Sequence, residues 1–185
     1  MEIDVQIPYG TNQQLAEAYN RALLNGTSEW VLFLDHDVFL CNPRWYTMCL
    51  KAVDTLSVDP QAACVGCVCG GERRNKVIKI QGDAYVPPNS DIEYHITVAK
   101  EHYKVHGNMV QRRNVPPTGF FLLLKRSIAQ EIGFVDQHKG INRIDTNFGE
   151  RLIAAGYHIY TMRGLYVYHR RGMRHLQKDF KIQGE

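Results

Sequence analysis

The chain has 185 residues, 44% of them hydrophobic and 22% charged, which is the size and balance of one soluble globular domain. That composition excludes large-scale disorder, and no apolar run approaches the ~20 residues that a membrane-spanning helix needs. The net charge is only +3, but residues 1–100 hold 8 basic and 12 acidic side chains while residues 101–185 hold 14 and 7, so an acidic half suited to a cation adjoins a basic half suited to phosphate.

The opening MEIDVQIPYG carries two early acids and no long apolar stretch, so no secretory signal is expected and the expected location is cytoplasmic. Ile3 to Ile7 alternates and runs into Pro8-Tyr9-Gly10-Thr11, a strand followed by a tight loop. Asn12 is placed to cap a helix in which Leu15, Ala18, Tyr19, Ala22 and Leu23 recur at three- and four-residue spacing, ending near Asn25-Gly26. Trp30 to Leu34 is a continuous apolar run, the mark of a strand buried on both faces. Pro43 to Leu56 reads as a second helix, with Trp45, Tyr46 and Met48 packing it, and Ala62 to Cys69 as another buried strand.

Residues 72–114 are less regular, with a strand expected at Lys76 to Gln81, a turn at Pro87-Pro88 and a polar helical piece from Asp91 to His106. Pro116-Pro117-Thr118-Gly119 leads into a strand from Phe120 to Leu124. Helices are expected at Arg126 to Ile132 and Asp145 to Ala155, stopped by Gly133 and Gly156, and short strands at Tyr157 to Thr161 and Leu165 to Tyr168. Strands alternating with helices give an α/β class with a central, mostly parallel mixed sheet flanked by helices, as one domain over residues 1–185 with a basic tail from about residue 170. Ligands bind at the carboxyl ends of such strands.

Asp35-His36-Asp37 sits at one of those ends. Two carboxylates two residues apart, placed after a wholly apolar strand, can both reach one cation. A turn or cap is the competing reading of such a triplet. The five cysteines, Cys41, Cys49, Cys64, Cys67 and Cys69, include a single CxxC with no second pair to complete a zinc site, so buried thiols on strands are expected. His95, His102 and His106 lack a set of carboxylates and are expected on a solvated helical face, and Arg151 is expected to pair with a neighbouring acid. Neither zinc-finger spacing nor an aromatic RNA-binding signature accompanies the basic residues, so no nucleic-acid partner is expected.

The motifs taken together resemble a known family. Asn12 to Asn20 (NQQLAEAYN) and then Glu29 to Asp37 (EWVLFLDHD) are similar to the helix, strand and DxD motif of family 2-type GT-A glycosyltransferases. Gly119 to Arg126, Glu131 to Asp136, Ile144 to Leu152 with Ala155-Gly156-Tyr157, and Val167-Tyr168-His169 follow in that family's order, so the resemblance covers roughly residues 5–170. Very short members, including viral ones, open with a similar strand and IPY-type loop. Two departures stand out. Met1 lies only 34 residues before Asp35, so either Ile3 to Thr11 serves as the base-binding strand and loop or part of that pocket is missing. Ile144 replaces the first acid of the usual E-D pair, leaving Asp145.

The resemblance implies a compact GT-A, Rossmann-like fold and a metal-dependent, inverting transferase. Such an enzyme moves a sugar from a nucleotide-sugar donor, UDP-linked by first expectation, to a hydroxyl of a glycan or similar acceptor. It implies Mn²⁺ or Mg²⁺ held by Asp35, Asp37 and His169, and Asp145 as the base, although an N-cap is the alternative for Asp145. The implied donor site comprises Pro8, Tyr9, Gly10, Thr11, Asn20, Asp35, His36, Thr118, Gly119 and Arg170. Tyr9 would stack on the base and Arg170 would reach the diphosphate. The competing functions are a metal-dependent phosphoester hydrolase or nucleotidyltransferase using the same acids, and a non-catalytic domain that binds a nucleotide sugar.

Overall fold

The computed structural model describes residues 2–9, 14–71, 90–135 and 143–170. Gly10, Thr11 and Asn12, the strand expected at Lys76 to Gln81, the Pro87-Pro88 turn and the basic tail from residue 171 lie outside them. The chain runs β1 (Ile3–Gln6), α1 (Leu15–Leu24), β2 (Trp30–Leu34), β3 (Val38–Phe39), α2 (Trp45–Leu56) and β4 (Ala62–Gly71). It continues with α3 (Ile92–His106), β5 (Val110–Arg113), β6 (Phe121–Lys125), α4 (Arg126–Ile132), α5 (Ile144–Ala154) and β7 (His158–His169). No helix among the described residues is long and apolar enough to cross a membrane.

One sheet carries the strands in the order β1-β2-β6-β4-β7-β3, with β5 also on β7. The ladders β1–β2 and β4–β7 are parallel, and those of β6, β3 and β5 are antiparallel. Hence β1, β2, β4 and β7 point one way and β6, β3 and β5 the other. The α/β class with a mixed sheet between helices is as expected. The three strands of opposite direction include β3 and β5, which alternation did not announce. β3 has only two residues, and β5 reads VQRR, a polar edge strand with one half-exposed apolar position.

The period of two in β2 builds the three layers. Trp30, Leu32 and Leu34 pack against Met48, Cys49, Ala52 and Val53 of α2 on one face. Val31 and Phe33 meet Ala16, Tyr19 and Leu23 of α1, Ile128 of α4 and Phe148 and Leu152 of α5 on the other. Burying apolar surface on both faces drives this arrangement. The tyrosine of the second helix also works at the sheet edge, where the Tyr46 hydroxyl accepts the Ile3 N–H at 3.1 Å.

Two arginines tie helix ends to this frame. Arg126, 6% exposed, donates from Nε to the Ser28 carbonyl at 2.7 Å and from a terminal nitrogen to the Leu23 carbonyl at 2.6 Å, and it pairs with Asp4. It thereby satisfies a carbonyl that the end of α1 leaves without a helical partner. Arg151 does the same for α4 through the Ile132 and Gly133 carbonyls, at 2.6 and 2.5 Å, and also donates to Asn147. Its role is structural, but its partners are carbonyl oxygens rather than the expected acid.

Three expectations change. The two short strands after Gly156 are one strand, β7, with a register shift where Cys67 faces Met162 and Val68 faces Tyr166. The break in the apolar pattern at Arg163-Gly164 marks that irregularity. A side chain at Gly164 would collide with the Gly107 backbone, so the turn after α3 docks there by close approach. His95 is fully buried instead of solvated: its ring stacks on Tyr168 at 3.9 Å and its Nδ1 is hydrogen-bonded with the Tyr166 hydroxyl at 2.6 Å. His102 is half-buried and stacks on Tyr166 at 5.5 Å. Tyrosine rings with reachable hydroxyls make an apolar yet hydrogen-bonding wall that accepts an imidazole. The five cysteines are buried and free, as expected.

Candidate functional site

Because β1, β2, β4 and β7 run in one direction and β6 opposes them, their carboxyl ends and the start of β6 share one end of the sheet. β2 ends at Leu34, and Asp35 leaves it with its N–H bonded to the Phe120 carbonyl at 3.0 Å. The Val38 N–H returns to the Asp35 carbonyl at 3.3 Å, closing a turn through His36 and Asp37. β3 then pairs with the end of β7, Val38 opposite His169, and the Arg170 N–H bonds the Asp37 carbonyl at 3.0 Å. The turn that sequence alone offered as an alternative to a cation site is therefore present, and it is what aims the acids.

The outcome is a cluster in which Asp35, Asp37 and His169 each offer a ligand atom, all within 4.8 Å of one another. His169 Nε2 lies 2.9 Å from an Asp37 oxygen and 3.5 Å from an Asp35 oxygen. Asp37 and His169 are largely buried, with side chains 13% and 12% exposed, and Asp35 is more open at 34%. Two carboxylates and an imidazole converging in a partly dry mouth form a donor set that fits a first-row divalent ion, with the hard oxygens also acceptable to Mg²⁺.

Asp145 stands in the first turn of α5, not at its cap, which is Arg143 in a left-handed conformation (φ 100°). One carboxylate oxygen accepts the Gly119 N–H at 2.7 Å and the other its neighbour Thr146 N–H at 2.8 Å. Gly119 is the residue before Phe120, so the strand end that receives Asp35 also receives Asp145. From α1, the buried Tyr19 phenol has its pKa pushed upward by burial and then by the charges of Asp35 and Asp145. Its ring is 5.2 Å from Phe33 and 4.6 Å from Phe134.

The structure thus brings together Asp35, Asp37 and His169, and separately Asp145 and Gly119, with Phe120 between. His36 is exposed at the turn, and Arg170 is exposed while its backbone holds Asp37. Pro8 and Tyr9 follow β1 at the same end of the sheet, Pro8 half-buried and Tyr9 80% exposed. Thr118 is half-buried. Asn20 turns to the backbone, its amide accepting the Phe134 N–H at 2.7 Å and donating to the Phe134 carbonyl at 2.8 Å. Gly10 and Thr11 are outside the described residues. Reading the sequence missed Tyr19, which appeared only as one apolar position of a helix, and Phe120, which appeared only as the start of a strand. Nothing in periodicity separates them from core.

Comparison with known proteins adds little to this geometry. No family model matches the chain. No curated protein matches it. Among solved structures it is similar to a mannosyltransferase from Pyrobaculum calidifontis in complex with GDP-Man and Mn²⁺, at 18% identity and a TM-score of 0.49, over 83% of this chain. This chain spans 35% of that protein's chain. A likeness of that degree carries no inference about activity.

Proposed function

We propose that the chain is a metal-dependent glycosyltransferase of the GT-A type. The observation that supports this best is the Asp35–Asp37–His169 cluster within 4.8 Å, at the carboxyl end of the sheet, with Asp145 tied to the same strand end through Gly119. The ordered motif resemblance supplies the reaction class. In this reading Asp35, Asp37 and His169 hold Mn²⁺ or Mg²⁺. When bound, the cation neutralises charge on the nucleoside-diphosphate leaving group.

The chain's own residues do the rest. Asp145 accepts the proton of an acceptor hydroxyl as that oxygen bonds to the anomeric carbon of the sugar. The bond from that carbon to the diphosphate oxygen breaks on the opposite face, so configuration inverts. Gly119 holds the orientation of Asp145, which matters because general-base catalysis needs the proton within hydrogen-bond reach. Tyr9, next to Pro8, offers an exposed aromatic ring to the nucleotide base, and Arg170 a cation to the diphosphate. The donor is a UDP-sugar and the acceptor a hydroxyl of a glycan or similar molecule.

Thermal stabilisation by UDP-, GDP- and dTDP-sugars, with and without Mn²⁺, tests the donor site, since a ligand bound only by the folded state raises Tm. A Mn²⁺-dependent rise with one nucleotide class is expected, followed by sugar transfer that Asp145→Asn removes. A folded sample with no rise for any nucleotide, or full transfer by Asp145→Asn, overturns the reading.

A further inference from the structure

We infer that Gly119 and Phe120 form a positioning step that couples the cation-binding cluster to Asp145. The inference rests on the site reading given above. Phe120 is 2% exposed and its ring lies 5.5 Å from the His169 ring, tilted by 37°. Its carbonyl accepts the Asp35 N–H at 3.0 Å. Gly119 donates its N–H to Asp145 at 2.7 Å. Two consecutive residues therefore touch a metal ligand's ring, a metal ligand's backbone and the proposed base.

The step is anchored in the most constrained part of the sheet. It leads directly into β6, whose neighbours are β2 on one side and β4 on the other. All of Phe121, Leu122, Leu123 and Leu124 are fully buried. An interior strand of this kind is a rigid anchor for the two residues that lead into it. Outer partners that hydrogen-bond a ligating histidine are worth about 10–100-fold in metal affinity, and the hydrophobic shell controls solvent access, so a ring that packs on the histidine is placed at the low end of that range. Gly119 has a separate reason for being glycine: a β-carbon there would stand 3.3 Å from the Asp145 β-carbon and 3.4 Å from its carboxylate oxygen. That is tight enough to displace the carboxylate by a few tenths of an ångström.

Two measurements on the whole chain, neither requiring turnover, test this. The first is Mn²⁺ affinity from the spin-resonance signal of free Mn²⁺. Phe120→Leu is expected to weaken Mn²⁺ binding by about ten-fold. Phe121→Leu removes the same ring from the next position, in the same buried cluster, and is expected to leave affinity within about two-fold; the ten-fold figure for its neighbour is the reference. Phe120→Met serves if Phe120→Leu fails to fold, as judged by its melting curve. Equal losses in the two positions, or no loss in Phe120→Leu, overturn the coupling at the metal side.

The second is a Mg²⁺ titration followed by amide resonances. The Gly119 and Thr146 amides, which hold Asp145, are expected to shift with the same half-point as residues of the Asp35–Val38 turn, and to shift less in Phe120→Leu. Amides at Gly119 and Thr146 that ignore Mg²⁺ overturn the link to Asp145. The parent reading fails differently. If the wild-type chain binds neither ion, the cation site and the coupling both fall; if it binds them with the couplings above and transfers no sugar, only the transferase assignment falls.

Discussion

Replacing Arg126 with methionine is the most informative single change to the frame beneath the site. The guanidinium donates to the Ser28 and Leu23 carbonyls at 2.7 and 2.6 Å and pairs with Asp4, with a side chain only 8% exposed. Methionine keeps much of the volume and removes every donor. Leaving a buried acceptor unsatisfied costs about 1–3 kcal/mol, and breaking a buried ion pair about 3–5 kcal/mol. Asp4 is 33% exposed, so water recovers part of its loss, and the expected destabilisation is about 3 kcal/mol. In a domain of this length that lowers Tm by about 6–12 °C, at about 2–4 °C per kcal/mol.

Urea denaturation of wild type, Arg126→Met, Asp4→Asn and the double variant forms a cycle that isolates the pair. A coupling of about 1–3 kcal/mol is expected from groups in direct contact. Gly26→Ala should weaken the same junction, because its β-carbon would fall inside the contact distance of both Asp4 and Arg126. A loss below about 1 kcal/mol for Arg126→Met, within the scatter of ordinary surface changes, would refute the claim that this side chain anchors β1 and α1 to β6.

Three further outcomes are expected. Asp37→Ala should abolish the Mn²⁺-dependent part of any melting shift, which for a ligand at 100 times its Kd is worth about 2.7 kcal/mol in the wild type; an unchanged Mn²⁺ response would remove Asp37 from the cluster. Burial works against ionisation of Asp59, but hydrogen bonds with Tyr160 at 2.6 Å and His158 at 2.7 Å, and from the Gln61 N–H, outweigh it and hold the carboxyl below its ordinary value. Its contribution to stability is therefore complete above the unfolded value of about 3.9 and lost as pH falls through the lower folded value, so the destabilisation by Asp59→Asn at pH 6 should shrink progressively as pH falls below about 3.9; a loss that does not change with pH there would contradict this. Burial pushes the Cys49 thiol up to about 12 and those of Cys64 and Cys67 upward as well, so a disulfide reagent at pH 8 should modify these thiols only as fast as the chain unfolds, and an immediate reaction in the native state would show that the packing is wrong.

The sequence by itself determined the parts whose cause is local. Five consecutive apolar residues bounded β2 without error, because a strand buried on both faces has no polar position to blur its ends. α4 was equally plain, held between the strand before it and Gly133, whose φ of 64° favours glycine. The acids after β2 were legible as candidates because they follow an apolar strand at the end of the sheet where ligands bind, while the turn that aims them was not. The ordered motifs supplied His169 and Asp145 by resemblance, not by anything the residues around them required.

Only the tertiary structure decided what stands beside what. A two-residue strand, β3, lays Asp37 against His169 across 132 positions of chain, and no pattern within either segment encodes that pairing. Phe120 carries the signature of a core residue, and only the tertiary structure sets its carbonyl on the Asp35 N–H and its ring 5.5 Å from that of His169. His95 shows the converse: on a weakly amphipathic helix an imidazole looks solvated until Tyr166 and Tyr168, more than seventy residues on, arrive to stack and bond with it. Periodicity records which face of an element is apolar; the identity of the group across that face is fixed by long-range packing, as it is for Asp37 and His169.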